Sequence, residues 1–259
     1  MINNRGIDAS AMNHTEVTLT PGPQGTKRKA LTGVLIELVN GIVSGEMREG
    51  ELLPPEEVLL ERLQVSRTTL RETLQHMVAL GLIRSKPRAG TVVQPRTMWN
   101  LLDPAVLSAA LRYNRDRAFY DNLVDARFLI EPEAAELAAR IGSPRALAAI
   151  GSAFADMVDS EGRDTESWSL ADVAFHTAII EASENWVYRQ FIVAIRAALM
   201  ASFQMTNRAS QSHEDAIELH RKVYDAIQRR EPEAAREAMR KLIGLAREDM
   251  ARALAASDK

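Results

Sequence analysis

Asp172 and His176 stand four residues apart, and His220 follows on a later segment of the chain. On a helix that spacing brings two side chains to one face, where a carboxylate and an imidazole can converge on one ion. His220 sits in a helical pattern with Val223, Tyr224 and Ile227, so it can turn inward to join them. One carboxylate and two imidazoles suit Zn²⁺, with Ni²⁺ or Mn²⁺ as alternatives, and leave positions for water or a ligand's oxygen atoms. On spacing alone the competing reading stands, because most Asp-x3-His pairs are solvated surface residues. Arg127 is an isolated cation in the largely apolar run Val124-Asp125-Ala126-Arg127-Phe128-Leu129-Ile130. A buried guanidinium needs an anionic partner, which a ligand carboxylate or an internal salt bridge to Asp172 or Glu131 would equally supply. Gln204 and Asn207, toward the end of the helix after Trp186, are candidate contacts for ligand hydroxyls. Trp99 and Trp186 read as packing residues rather than as a stacking box.

A second chemistry lies in residues 50–93. The spacing predicts two short amphipathic helices and then a β-hairpin with a basic tip. Ser66 is placed to cap the second helix, its side-chain oxygen accepting from the free N–H groups of the first turn. Arg67, Thr68, Thr69 and Arg71 project from that turn, where a helix seated in a DNA groove meets bases and phosphates. Leu70, Leu74, Met77 and Val78 recur at helical spacing as the expected buried face. Gly81 can close the helix in the left-handed conformation. The β-prone runs Leu82-Ile83 and Thr91-Val92-Val93 flank Arg84, Lys86, Arg88 and Gly90, a cationic tip suited to phosphates or a narrow minor groove.

Residues 31–95 resemble the winged helix-turn-helix of the GntR regulators. The matching marks are Gly45, Gly50, Leu53-Pro54, Glu56, Val65-Ser66-Arg67, Leu70-Arg71-Glu72, Gly81-Leu82-Ile83 and Arg88-x-Gly90-Thr91. The resemblance implies that Arg67, Thr68, Thr69 and Arg71 contact the operator, with Ser66 as their cap counted in the DNA-binding set, and that the wing tip at Arg88 and Gly90 enters the minor groove. Many members carry Arg directly after the residue matching Glu56, as a phosphate contact; Glu57 stands there in this chain, so that contact is not carried over.

The remainder resembles the effector domain (FCD type) of the FadR subgroup, particularly its sugar-acid-responsive members. The marks are Trp99-Asn100-Leu101-Leu102-Asp103-Pro104, Arg127 with Glu131-Pro132, Asp172-x3-His176, Ala182-Ser183-x-Asn185, His220 with Asp225-Ala226-Ile227, and Glu233-Ala234-Ala235. This resemblance implies a metal at Asp172, His176 and His220, and an effector carboxylate at Arg127. Metal-binding members usually carry a third His where this chain has Leu242, which cannot coordinate. Either three protein ligands are completed by effector and water, or the metal arrives with the effector. His213 could substitute; its alternative reading is an exposed residue at a helix start.

These residues need elements to position them. A polar, aperiodic stretch over residues 1–27 reads as a disordered tail. The DNA-binding domain spans 28–95, opening with a helix over 29–44; a linker covers 96–103, and an all-helical domain for effector binding and dimerisation covers 104–255. Its expected helices run over about 104–113, 116–140, 143–158, 165–183, 187–208, 213–229 and 231–255. The fold class is therefore mainly α, a winged helix-turn-helix followed by a helical bundle whose interior can hold ligand and metal sites.

Composition narrows the function classes. The chain has 259 residues and a net charge of −3, so DNA binding must come from a local basic surface on a mildly acidic body. There is no Cys, which excludes disulfides, thiolate metal sites and cysteine nucleophiles and fits a reducing cytoplasm. No apolar run approaches the roughly 20 residues of a membrane span, and the N-terminus lacks a signal pattern. There is no HExxH, P-loop, G-x-S-x-G or dinucleotide fingerprint, so the expectation is a regulator and not an enzyme. The full expectation is a cytoplasmic homodimeric repressor of sugar-acid catabolic genes. It would bind an inverted-repeat operator in double-stranded DNA and leave it when a galactonate-type acid binds near the metal. The alternatives are a metal-free regulator answering another organic acid and a constitutive DNA-binding dimer.

Overall fold

The computed structural model describes residues 23–86, 90–114, 116–161, 164–206 and 214–257. Helix α1 (Pro23–Val43) leads into α2 (Glu56–Leu63), α3 (Arg67–Ala79) and the antiparallel strands β1 (Ile83–Lys86) and β2 (Gly90–Val93). Helices α4 (Pro104–Tyr113), α5 (Arg117–Ile141), α6 (Pro144–Ser160), α7 (Thr165–Ala182), α8 (Ile192–Thr206), α9 (Glu214–Gln228) and α10 (Pro232–Ser257) follow. This is the mainly α architecture expected, with the wing as its one small sheet among the described residues.

Side-chain caps account for several helix starts. Ser66 Oγ accepts from Thr69 N–H at 3.1 Å, and Asp103 Oδ1 accepts from Ala105 and Val106 N–H ahead of α4, with Pro104 in the first turn. Asp116, Ser143 and Asp164 cap α5, α6 and α7 in the same way. Helix α1 begins at Pro23, so part of the tail expected over 1–27 is helical. Proline is tolerated in a first helical turn because its missing N–H would have no partner there. The helix expected over 187–208 is divided. Asn185 Oδ1 accepts from Val187 and Tyr188 N–H and starts a tight 3-10 turn (Tyr188–Phe191), from which α8 continues. Trp186, read as packing, lies just before this turn at 77% exposure. Trp99 does pack: it is half-buried and donates from Nε1 to Gln94 O at 2.9 Å.

The reading domain is built around α1, which packs on α3 and α4. The inner face of α3 is Thr69, Leu70, Thr73 and Met77, while Leu74 is half-buried and Val78 exposed. Placing Val78 on that face is thus corrected. Two threonines complete it, and Thr73 satisfies its hydroxyl by donating to Thr69 O at 2.9 Å. Gly81 has φ +72, and an added Cβ would run into the Met98 carbonyl, so both conformation and space demand glycine. The hairpin pairs Ile83 with Val93 and Lys86 with Gly90. Residues 50–53 add a short third edge through Leu53 N–H to Thr91 O and Gly50 N–H to Val93 O.

Helix α5 runs through the centre of the bundle, packed on α7, α8, α9 and α10. It stays helical through Pro132, which removes a backbone donor one residue after Glu131. Burial holds this turn in place, and Glu131, Pro132, Ala134 and Ala135 all lie in the interior. Helix α4 joins the two halves. Its Val106, Ala109 and Ala110 lie in the N-terminal hydrophobic cluster, while its other contacts reach α8. Spacing alone groups α4 with the bundle; Val106, Ala109 and Ala110 pack with the DNA-reading core, and Leu111 packs on the bundle core. No helix among the described residues is long and apolar enough to cross a membrane.

Candidate metal centre and nucleic-acid interface

Helix α7 presents Asp172 and His176, and α9 presents His220, all three buried. One ligand atom from each lies within 4.8 Å of the others. His220 Nε2 is 2.8 Å from Asp172 Oδ1, and His176 Nε2 is 3.7 Å from the same oxygen. The second nitrogen of each ring is already engaged. His220 Nδ1 donates to Ala216 O at 2.6 Å, since a carbonyl can only accept. His176 Nδ1 meets Glu131 Oε2.

Glu131 lies on α5 and receives Arg127 Nε at 2.6 Å on its other oxygen. Burial works to raise its pKa, but Arg127 and His176 together hold the carboxyl down at about 2. An ionised Glu131 can only accept, so His176 Nδ1 carries the proton in that contact. Each histidine turns its Nε2 toward Asp172. Burial likewise opposes ionisation of Asp172, and His176, His220 and Arg127 outweigh it, so that carboxyl also sits below its ordinary value.

An Nε2 atom 2.8 Å from a carboxylate oxygen needs a proton or a metal ion between the two lone pairs. Two buried atoms make the same point: His220 Nε2 and Asp172 Oδ2 have no hydrogen-bond partner. A divalent ion with bonds of about 2.1 Å reaches donors about 4 Å apart, so the two separations to Asp172 suit one ion. The residues therefore fit a metal, and Glu131 would hold the His176 ring through Nδ1 while Nε2 faced the ion. Phe175 and Trp168 close the site with edge-on rings, 5.3 and 6.3 Å from the His220 ring. Leu242 is buried in the bundle core and adds no donor.

The structure thus brings Arg127 into the same buried group as the three expected ligands, joined through Glu131. Among the described residues, that carboxylate is the one hydrogen-bond partner of Arg127. Glu131 was legible only as one of two salt-bridge partners; its place four residues after Arg127, on the same apolar face, is the signal that marks it. Gln204 falls on α8, its side chain outside the described residues, and Asn207, His213 and Arg88 also lie outside them.

At the other end, Arg67, Thr68 and Arg71 are exposed on the first turns of α3, with Ser66 beside them. Thr69 is turned inward, and its hydroxyl lies 2.9 Å from Ser66 Oγ, so in this conformation it serves the cap instead of facing outward. Arg84 and Lys86 stand exposed on β1, and Gly90 takes φ +94 at the hairpin tip. These cations on one wing and one helix start form the local basic surface that a chain of net charge −3 requires. Arg71→Ala is expected to weaken operator binding by about 1–3 kcal/mol, read by fluorescence anisotropy on a specific duplex. Unchanged affinity would remove Arg71 from the base-reading set.

Residues 32–93 match the gntR family of bacterial regulatory proteins, and residues 122–245 match the FCD domain. The chain is 32% identical over 206 residues to the galactonate operon transcriptional repressor of Escherichia coli (strain K12), covering 79% of this chain and 90% of that one. It is 33% identical over 220 residues to the uncharacterized HTH-type transcriptional regulator YieP of the same organism, covering 83% and 94%. Among solved structures, the Listeria monocytogenes regulator Lar shares the fold at TM-score 0.62 and 19% identity, over 86% of this chain and 96% of that one. With a winged helix that reads DNA, a helical domain with a metal-capable cluster, and these relatives, the chain belongs to the GntR family of bacterial transcription regulators, in its FCD-domain branch, and is not an enzyme.

Proposed function

We propose that this regulator is a cytoplasmic homodimeric repressor of sugar-acid catabolic genes, released from an inverted-repeat operator by a galactonate-type acid. The observation that carries the reading is the buried trio of Asp172, His176 and His220, in which the two Nε2 atoms lie 2.8 and 3.7 Å from one carboxylate oxygen and His220 Nε2 has no hydrogen-bond partner. Such a donor set is suited to Zn²⁺, with Ni²⁺ or Mn²⁺ as alternatives, and a bound ion would supply Lewis-acid affinity for carboxylate and hydroxyl oxygens.

Arg127 uses Nε on Glu131, which keeps that edge of the guanidinium fixed while its terminal nitrogens can meet an effector carboxylate. Gln204 and Asn207 are assigned to the effector's hydroxyls. The reading helix contributes Ser66, Arg67, Thr68 and Arg71, and the wing contributes Arg88 and Gly90; Thr69 would have to leave its inward contact to join them. Support for the sugar-acid class comes from similarity to a repressor named for the galactonate operon. Helix α4, between the reading core and α8, is the element through which a change in the bundle can reach the DNA-binding helices. Release requires the acid to bind one of two conformers better, since equal affinity for both shifts nothing.

The test is fluorescence anisotropy on DNA from the gene's own upstream region, titrated with D-galactonate and related acids, with and without a chelator. Release by one acid, lost on chelation, is the expected result. Release that survives chelation would overturn the metal's role, and no release by any sugar acid would overturn the effector class.

A further inference from the structure

We propose that Glu56 is a specificity-determining residue of the DNA-reading surface, one carboxylate that holds both reading arginines against non-specific phosphate binding. Glu56 is the first residue of α2, and its Oε1 lies 3.7 Å from Arg67 Nη1 and 3.4 Å from Arg71 Nε. The arginine side chains are 64% and 68% exposed, while that of Glu56 is 33% exposed. Oε1 itself is buried and accepts no hydrogen bond, so the charges of the two guanidinium groups are what it answers.

Arg67 and Arg71 are four residues apart on one face of α3, where like charges repel. A single carboxylate between them lets both occupy that face and halves its charge. Binding to arbitrary DNA draws on counterion release from the phosphates that each cation neutralises. A phosphate approaching this surface must therefore compete with Glu56 for the arginines and meets its negative charge within a Debye length. Base recognition is affected less. An arginine reads guanine with a bidentate fork, and Glu56 faces Arg71 from the Nε side, which leaves its two terminal nitrogens out of the ion pair, whereas Arg67 is met at Nη1. Glu56 thus penalises the sequence-independent contact more than the sequence-dependent one.

The experiment uses the full chain and two duplexes of equal length, an operator fragment selected from a random library by the wild-type protein and a scrambled control. Affinities are measured by anisotropy across a salt series. Glu56→Gln is expected to raise affinity for the scrambled duplex by about five- to tenfold at ~0.1 M salt and to steepen the log K against log salt slope by about one to two. Operator affinity should change by less than about twofold, so discrimination falls. Glu61→Gln, which removes an equal charge from an exposed residue of the same helix paired with neither arginine, should raise the scrambled affinity by less than about twofold. An equal rise in Glu61→Gln, or wild-type affinity and slope in Glu56→Gln, would overturn the proposal. If Glu56→Gln does not fold, Glu56→Asp decides. Its carboxylate is one methylene short of serving both arginines, so part of the rise is expected, and no rise overturns the assignment.

Discussion

Alanine in place of His220 is expected to abolish stabilisation by added metal and to blunt the effector response, while binding to operator DNA stays near the wild-type value. The reasoning starts from the ring's partners. His220 Nδ1 bonds only the Ala216 carbonyl of its own helix, so the substitution removes one inward Nε2 and leaves Asp172 to His176 and Arg127. Asp172 and His176 then remain as a pair, too few protein donors to hold a divalent ion tightly. For the wild-type protein, a metal at about 100 times its dissociation constant adds about 2.7 kcal/mol, or about 5–10 °C in melting temperature for a domain of this size. The variant should shift by less than about 1 °C under the same conditions. Operator affinity is spared because α3 and the wing pack in the N-terminal cluster, away from α9. A full metal-induced shift in the variant would remove His220 from the ligand set. Effector release unchanged from wild type would separate the effector from the metal.

Much of this arrangement is legible in the amino-acid order because its signals are local. Ser66 caps α3 and Asp103 caps α4, and each does so by bonds that depend on residues two or three positions away. Asp172 and His176 share a face through helical spacing alone, and His220 follows from the periodicity of α9. What escapes depends on packing across elements. A count of hydrophobic residues puts Val78 in the core and passes over Thr69 and Thr73, yet threonines enter the interior once the cap and the preceding turn satisfy their hydroxyls. Trp186 looks like core by residue type, but it sits where Asn185 turns the chain between α7 and α8, and it faces solvent. Helix α4 carries the spacing of a bundle helix, and only the position of α1 shows that its apolar face joins the reading core. Glu56 and Glu131 are named in the sequence, one as a mark of the reading domain and one as a salt-bridge partner, but their full roles are not legible there. Each is an ordinary acid in the sequence, and each acquires its role from cations that the fold places around it.

The second large effect concerns Glu131. Arg127→Met is expected to destabilise the protein by about 3–5 kcal/mol at neutral pH, because it leaves a buried carboxylate without its principal countercharge. Arg127 and Glu131 are both almost fully buried and meet at 2.6 Å, so neither charge has water to fall back on. The pH dependence gives the mechanism a signature. Glu131 is depressed from 4.5 to about 2, so its ionised form contributes stability that is fully present above about 4.5 and is lost as pH falls through about 2. Without Arg127 the carboxyl titrates higher, and the gap between variant and wild type should narrow as pH is lowered across that window. A second substitution isolates the charge from the packing. Arg127→Met combined with Glu131→Gln removes both charges while keeping an acceptor for His176 Nδ1, and should cost less than Arg127→Met alone. Chemical denaturation across pH measures all three proteins. A double variant as unstable as the single would assign the loss to the missing guanidinium's packing, and a pH-independent gap would show that Glu131 does not depend on Arg127 for its charge.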